Sequence, residues 1–462
     1  MNATRSLWAA DALLPSGWAR DVSIHWNPQG QLTSVQAGVA PAAGQPRAGG
    51  PVLPGMPNLH SHAFQRVFCG LTEYRGQAQD SFWSWRDLMY RSAAQLGPQQ
   101  IEAIATWLYI EMLEAGYTSV CEFHYLHHDP RGQPYAEPEM ALALLRAAKR
   151  SGIGLTLLPV LYQSSGFGGT APSAGQRRFV HDTASMLRLL DTLSPLCAAQ
   201  GAALGLAPHS LRAVPPAALR DALNGLDALN PDAPIHIHIA EQVKEVHDCV
   251  AWSGQTPVRW LLSNMAVGPR WCLVHATHMT PDETHDAART GAIAGLCLTT
   301  EANLGDGFFD MTNWRTAGGR WGIGSDSHAT VNAAEELQLL EYGQRLVMQQ
   351  RNVMADPEHP HVATAMTLAA VAGGAQASGR AVHGLEVGQQ ADMIELDAHH
   401  VALAGLSACD QLSAHVFASH RGSALHSTWV AGRQHVNSGR HALHEEAARA
   451  FVGVRRALLA QV

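Results

Sequence analysis

The sequence predicts an α/β chain: a (β/α)8, TIM-like barrel joined to a small β-sandwich domain that both ends of the chain build together. Three observations predict it. Eight short apolar runs alternate with longer helical patterns between residues 52 and 326. The runs are almost continuously apolar, as strands of a parallel sheet covered on both faces should be. Strand-like pieces broken by Pro and Gly stand before residue 51 and return after about residue 381. Neither set is large enough to bury a face alone, so one shared domain is the economical solution.

The division that follows is 1–51 for the first part of the β domain, 52–380 for the barrel, and 381–462 for the rest of the β domain with a terminal helix. The opening pieces are SLWAADALL, ARDVSIHW and LTSVQAG, and PAAGQPRAGGP is the turn-rich link to the barrel. The barrel strands are read in VLPGMPNLH (52–60), TSVCEF (118–123), GLTLLPVLY (154–162), ALGLAPH (203–209), PIHIHIA (234–240), WCLVHAT (271–277), AIAGLCL (292–298) and RWGIGSD (320–326). Helical patterns such as PQQIEAIATWLYIEMLEAG, MALALLRAAKRSG and AALRDALNGLDAL lie between them. AAEELQLLEYGQRLVMQQR and ATAMTLAAVAGGAQASG follow. QQADMIELD then reads as a strand, and STWVAGRQHVNSG as a hairpin. The long Gly-rich connection SSGFGGTAPSAG (164–175) after the third run is a candidate lid over the site.

Composition excludes several classes. In 462 residues, Lys+Arg is 31 against Asp+Glu 39, a net charge of −8, so no basic excess exists to track nucleic acid. Hydrophobic residues make up 46%, enough for a large core and too many for a disordered chain. No apolar run reaches the ~18–20 residues of a membrane span, and the first residues lack the apolar stretch of a signal peptide. Seven cysteines stand far apart with no CxxC spacing, which fits reduced thiols in the cytoplasm better than a disulfide framework. The unusual count is 26 His against only two lysines, Lys149 and Lys244.

Position gives those histidines meaning. Barrel sites are built at the C-terminal ends of the strands. The first run ends in His60-Ser61-His62 and the second in Glu122-Phe123-His124-Tyr125. The fourth ends in His209, with Arg212 just beyond. The fifth carries His236 and His238, then Glu241. The sixth ends in His275, and the eighth in Ser325-Asp326-Ser327-His328. His60 and His62 are two apart on a strand and share a face. With His238 and Asp326 they make a three-nitrogen, one-oxygen set suited to Zn²⁺ with a position left for water. Iron or cobalt would accept the same donors. A two-metal site bridged by a carboxylated lysine needs a lysine at a strand end, and both lysines fall in helical patterns, so one metal is expected. A single Zn²⁺ brings the pKa of water to ~7. Asp326, ligand and proton acceptor, could take the water proton, Glu241 could pass protons to a substrate nitrogen, and His275 could hold the nucleophile. Such a set serves hydrolytic attack on a trigonal carbon bearing nitrogen. The roles of His124, His127, His128, His236, His278 and His328 are open.

His60-x-His62 after an apolar run, His238-x-x-Glu241, His275 and Asp326 resemble the amidohydrolase superfamily, deaminase branch. The longer strings MPNLHSHAFQR, DSFWSWRDLMYR, GYTSVCEFHYLHHD, HIHIAEQ, WCLVHATH, LTTEANLGDGFF and GIGSDSH are similar to those of its formimidoylglutamate deiminase family. The likeness runs from about residue 52 to 345 and continues more weakly to both ends. The resemblance implies a cytoplasmic homodimer of histidine degradation that hydrolyses N-formimidoyl-L-glutamate to N-formyl-L-glutamate and ammonia. It implies that His60, His62, His238 and Asp326 bind one Zn²⁺ per chain, with Glu241 and His275 assisting proton transfer. It implies substrate contacts at Gln65, Arg86, Tyr125, His209 and Arg212. The residues support a dicarboxylate substrate by themselves as well, because arginine forks suit carboxylates. Two rival readings stand beside it: a deaminase or chlorohydrolase of the same branch acting on a purine, pyrimidine or triazine, and a metal-binding barrel without catalysis, against which Glu241 and Asp326 speak.

Overall fold

The computed structural model describes residues 5–73, 86, 89–91, 93–419 and 424–460. Each of the eight apolar runs contains a barrel strand. In chain order the strands are β1 (Arg5–Leu14), β2 (Gly17–Trp26), β3 (Leu32–Gln36), β4 (Val52–Pro54), β5 (Met56–Ser61), β6 (Tyr117–His124), β7 (Gly154–Leu161), β8 (Ala203–Leu204) and β9 (Ala207–Pro208). They continue as β10 (Ile235–Ile239), β11 (Trp271–His275), β12 (Ile293–Leu296), β13 (Arg320–Ile323), β14 (Met393–Leu396), β15 (Leu425–Val430), β16 (Arg433–Asn437) and β17 (Arg440–His441).

β5 through β13 form the barrel in parallel register. One arc runs β5-β6-β7 to the fourth strand and the other runs β10-β11-β12-β13. Two isolated parallel bridges join the arcs: Leu206 to Ile235, and Ser61 to Asp326. The fourth strand is shorter than the run 203–209 suggests. It breaks into β8 and β9, because Gly205 bonds across to Leu157 while Leu206 turns its amide to Pro234 on the other side. The helices read from the sequence appear at Pro98–Glu114, Glu139–Ser151, Pro216–Leu229, Ala333–Met348 and Val362–Ser378. They pack their apolar faces on the outside of the strands in the main core.

The first run, 52–60, serves two sheets. Val52–Pro54 pairs with β1 and β14 in the small domain, and the barrel begins only at Met56. Gly55 is the joint. Its amide donates to Asp392 O at 3.0 Å, and a Cβ there would lie 2.2 Å from Thr118 Cγ2. The strands of the small β domain follow one hydrogen-bonded path of eight, β17-β16-β15-β14-β4-β1-β2-β3, drawn from both ends of the chain. Its own buried cluster includes Leu7, Val22, Ile24, Trp26, Leu32, Met393 and Trp429. The hairpin read in STWVAGRQHVNSG is β15–β16. It turns at Ala431-Gly432, both with positive φ (48° and 69°), as a two-residue hairpin turn requires.

Gly55→Ala should lower stability by about 1–3 kcal/mol through overpacking at the joint. Thr118→Ala removes two of the three obstructing atoms, so the double variant should recover part of that loss in a denaturant-melt cycle.

Candidate active site

Barrel closure assembles the site. The Asp326 amide donates to His60 O at 3.0 Å, and the His62 amide donates to Asp326 O at 3.2 Å. His238, near the end of β10, completes the group. One ligand atom from each of His60, His62, His238 and Asp326 lies within 4.8 Å of the others, and all four residues are buried. His60 Nε2 stands 3.1 Å from His62 Nε2 and 2.9 Å from His238 Nε2. Asp326 Oδ1 lies 3.5 Å from His60 Nε2 and 3.3 Å from His62 Nε2.

Ring orientation shows what this cluster suits. His62 Nδ1–H donates to Phe123 O at 2.9 Å, and His238 Nδ1–H donates to His209 O at 3.1 Å. Those bonds put the ring protons on Nδ1 and leave the Nε2 lone pairs facing one another. Burial above all lowers the proton affinity of His60, His62 and His238, that of His62 to about 3. Neutral imidazole lone pairs aimed at one point gain nothing from each other. A cation between them and the carboxylate would satisfy all four, so the donor set fits the divalent metal on which this kind of site depends.

His275 ends β11 behind that group. Its Nδ1 meets Glu301 Oε1 at 3.2 Å, while Nε2 faces Asp326 Oδ2 at 3.7 Å and Glu241 Oε1 at 3.9 Å. Burial opposes charging the ring, but Glu241, the hydrogen-bonded Glu301 and Asp326 outweigh it and push its pKa up to about 10. Asp326 therefore has two distinct oxygens, Oδ1 turned to the imidazoles and Oδ2 to His275. Glu241 sits in the three-residue gap between β10 and the helix Val243–Ser253, and its amide donates to Glu245 Oε2 at 3.2 Å.

A pocket of about 560 Å³, counting the open space at its mouth, lies over these groups. His62, His238, Glu241, His275 and Asp326 line it, and so do all five residues expected to touch substrate: Gln65, Arg86, Tyr125, His209 and Arg212. His60 lies beneath, fully buried. Gln65 Nε2 donates to Tyr125 OH at 2.8 Å, and the Arg86 guanidinium lies 5.5 Å from the centre of the Tyr90 ring. Most of the aromatic string 80–91 falls outside the described residues. Neither lysine lines the pocket: Lys149 lies in the last turn of the helix Glu139–Ser151, and Lys244 pairs with Asp248 at 2.6 Å.

Several of the remaining histidines have structural partners. His127 and His128 donate to Val160 O and Val180 O, and His236 donates to Ala377 O. His328 hydrogen-bonds with the Ser325 and Ser61 hydroxyls. Sequence reasoning gave no role to Glu301, Glu245, Glu122, Tyr90 or Tyr162. Glu245 stands in the first turn of the helix Val243–Ser253, four residues after Glu241, where its carboxylate accepts the Glu241 amide. Tyr162 and Glu122 are strand-end residues that the rim argument covers. Nothing in the sequence pairs Glu301 with His275.

Glu122 accepts from Ala63 N at 2.7 Å, Ser61 Oγ at 2.7 Å and Tyr109 OH at 3.2 Å, so it braces the turn that carries both first-strand histidines. Burial raises its pKa to about 7 against those three donors. Glu122→Leu strands the Ala63 amide and should cost at least about 1–3 kcal/mol with weakened metal retention. Glu122→Gln should cost less, because its oxygen can keep the Ala63 amide while both hydroxyls turn. Calorimetric melting and metal analysis read the difference.

Comparison with known proteins agrees with this architecture. A model described as the amidohydrolase family matches residues 52–434, and one described as formimidoylglutamate deiminase HutF, N-terminal domain, matches residues 4–49. A formimidoylglutamate deiminase of Pseudomonas aeruginosa is 52% identical over 98% of this chain and 99% of its own. A crystal structure of an amidohydrolase from Brucella melitensis superposes with a TM-score of 0.93 at 48% identity, covering 98% of this chain and all of its own. A 5-methylthioadenosine/S-adenosylhomocysteine deaminase of Shouchella clausii is 27% identical over 82% of this chain and 80% of its own. With a barrel, a shared β domain and a hydrolase's donor set in place, the chain belongs to the amidohydrolase family and, within it, to the formimidoylglutamate deiminase family.

Proposed function

We propose that this enzyme is a zinc-dependent hydrolase that converts N-formimidoyl-L-glutamate and water to N-formyl-L-glutamate and ammonia, in the cytoplasm, as a step of histidine degradation. The observation that carries the reading is that two guanidiniums, Arg86 and Arg212, line the same pocket as the histidine and aspartate cluster. The substrate has two carboxylates at one end and a cationic amidine at the other. Guanidinium forks suit the first, and the carboxylates of Asp326 and Glu241 suit the second. The Pseudomonas aeruginosa relative carries the name of this activity. A neutral heterocycle would leave two arginines in the pocket without a use.

His60, His62, His238 and Asp326 Oδ1 would hold the ion, whose contribution is to make water acidic at neutral pH. Asp326 Oδ2, turned away from the imidazoles, accepts the first proton from water as its oxygen bonds to the formimidoyl carbon. His275, charged by its carboxylate neighbours, stabilises the negative charge that develops on that oxygen. The proton on Asp326 then passes to the amidine nitrogen. Glu241 takes the remaining hydroxyl proton as the C–N bond breaks and delivers it to the departing ammonia. Both water protons end on the leaving nitrogen, and the enzyme returns to its starting state. Arg212 keeps its proton because Glu245 and Glu241 outweigh the burial that opposes its charge. Gln65, Tyr125 and His209, with the two arginines, fix the substrate so that binding becomes orientation.

An ammonia-release assay on N-formimidoyl-L-glutamate, guanine and cytosine, run with metal analysis, tests the reading: release from the first alone is expected, and release only from a heterocycle would replace it. Glu241→Gln should keep its metal and lose about 10²–10⁴-fold in kcat; near-normal turnover would remove it from proton transfer. Arg212→Met should raise KM about 10- to 100-fold with metal content unchanged, the loss expected for a charged hydrogen bond.

A further inference from the structure

Gln176 lies in the connection between β7 and the helix Thr183–Ala199, 2% exposed, and nothing above uses it. Its amide orientation is fixed by donor and acceptor chemistry. The Ser173 backbone N–H only donates, and it meets Gln176 Oε1 at 2.8 Å. The nitrogen Nε2 must then be the atom facing Tyr162 OH at 2.5 Å and Tyr90 OH at 3.2 Å. An amide NH₂ has two protons to give and no lone pair to offer. Both phenol oxygens therefore accept from Gln176, and neither phenol can spend its own proton there.

Tyr90 and Tyr162 line the same pocket as Arg86 and Arg212, whose guanidiniums are donors only. If one phenol donates to the other, one O–H still remains for the pocket. Burial holds the Tyr162 phenol well above its ordinary pKa, so it stays protonated. The wall is also held from behind. The buried Arg178 guanidinium donates to His128 O at 2.8 Å, to Leu96 O at 2.7 Å and to Ala93 O, tying the connection to the chain just after Arg86 and Tyr90. A fixed group of phenol and guanidinium donors, with its acceptor face already filled by Gln176, matches one class of ligand: a carboxylate.

We propose that Tyr90 and Tyr162, with their donors aimed by Gln176, form a carboxylate subsite that reads one of the two carboxylates of the substrate. The proposal rests on the dicarboxylate reading of the pocket. Gln176 is a positioning residue, acting through the phenols.

The test compares the metal-loaded parent enzyme with Tyr162→Phe, Tyr90→Phe and Gln176→Met. Calorimetric titration gives Kd for N-formyl-L-glutamate. Steady-state kinetics use N-formimidoyl-L-glutamate and its two monoamides, each with one carboxylate capped. Tyr162→Phe should raise Kd and KM about 10-fold with kcat changed less than about threefold, the loss of one hydrogen bond to a charged group. Gln176→Met should lose less, about threefold, because the phenols keep their protons but not their direction. With one monoamide as substrate, parent and variants should match, and that monoamide identifies the carboxylate being read. Variants that bind the dicarboxylate as the parent does overturn the subsite. So does an equal loss on both monoamides, which marks a packing defect. A parent that neither binds N-formyl-L-glutamate nor turns over N-formimidoyl-L-glutamate overturns the proposed function and the subsite with it. A parent that does both, with indifferent variants, overturns the subsite alone.

Discussion

Two backbone hydrogen bonds between the end of β5 and the segment after β13 hold this molecule's chemistry together. They are Asp326 N to His60 O and His62 N to Asp326 O. The last barrel strand could close on the first anywhere along its length. It closes at the rim, and there it brings a carboxylate from residue 326 to the two imidazoles near residue 60. A third imidazole comes from β10 across the barrel. The site is thus a consequence of topology: if the barrel fails to close, no local sequence brings these four side chains together. Closure and ligand assembly are one event, so Asp326 is as much a structural residue as a chemical one.

Closure has an energetic cost that shows in the backbone. Ala240, His275, Ala276, Asp326 and His328 all have positive φ at strand ends around the site, and none of them is glycine. Such residues cost of order 1–3 kcal/mol each and persist only where the surroundings over-determine them. Around Asp326 those surroundings are the paired backbone, the Ser325 hydroxyl held by Asn58 Nδ2 at 2.7 Å, and the Ser61–Glu122–Tyr109 network under the first strand. The carboxylates of Asp326, Glu241 and Glu301 are buried round one imidazole as well. Buried like charges repel unless something positive stands among them. His275 supplies part of that charge, and a divalent ion on the other side of Asp326 would supply the rest. The arrangement is costly without a cation and favourable with one, which is the balance expected of a site whose binding energy supports the fold around it.

What could be read from the sequence follows the physics of each part. The barrel was legible because buried parallel strands must be apolar throughout, and every one of the eight runs holds a strand. Within that frame the rim residues His60, His62, His238, Glu241, His275 and Asp326 announced themselves by standing at the same end of successive runs. Two features were misjudged in detail. The run 52–60 looks like one strand because Gly55 interrupts hydropathy only slightly, yet it is the corner where the chain passes from one sheet to another. The fourth run looks continuous, yet its hydrogen bonds alternate between neighbours. The partnerships of Glu301 with His275, and of Gln176 with two tyrosines, were illegible because contact across loops leaves no period in a sequence.

That contrast separates what the family shares from what sets one member apart. The groups that would hold the ion and move protons come from strand ends, which any member of the architecture can supply. Several groups facing the rest of the pocket come from connections: Gln65 from the short helical turn after β5, Arg86 and Tyr90 from the segment beyond it, and Arg212 from the turn after β9, while Gln176, in the loop after β7, donates to the Tyr90 and Tyr162 phenols. Loops can change without disturbing the closed barrel, because the hydrogen bonds that assemble the chemical groups belong to the strands. A relative named for another substrate class, the Shouchella clausii deaminase, still matches 82% of this chain at 27% identity. Under the proposed function, discrimination between a dicarboxylate and a heterocycle rests on which donors line the pocket. Here those donors are guanidiniums and phenols, whose protons seek anions.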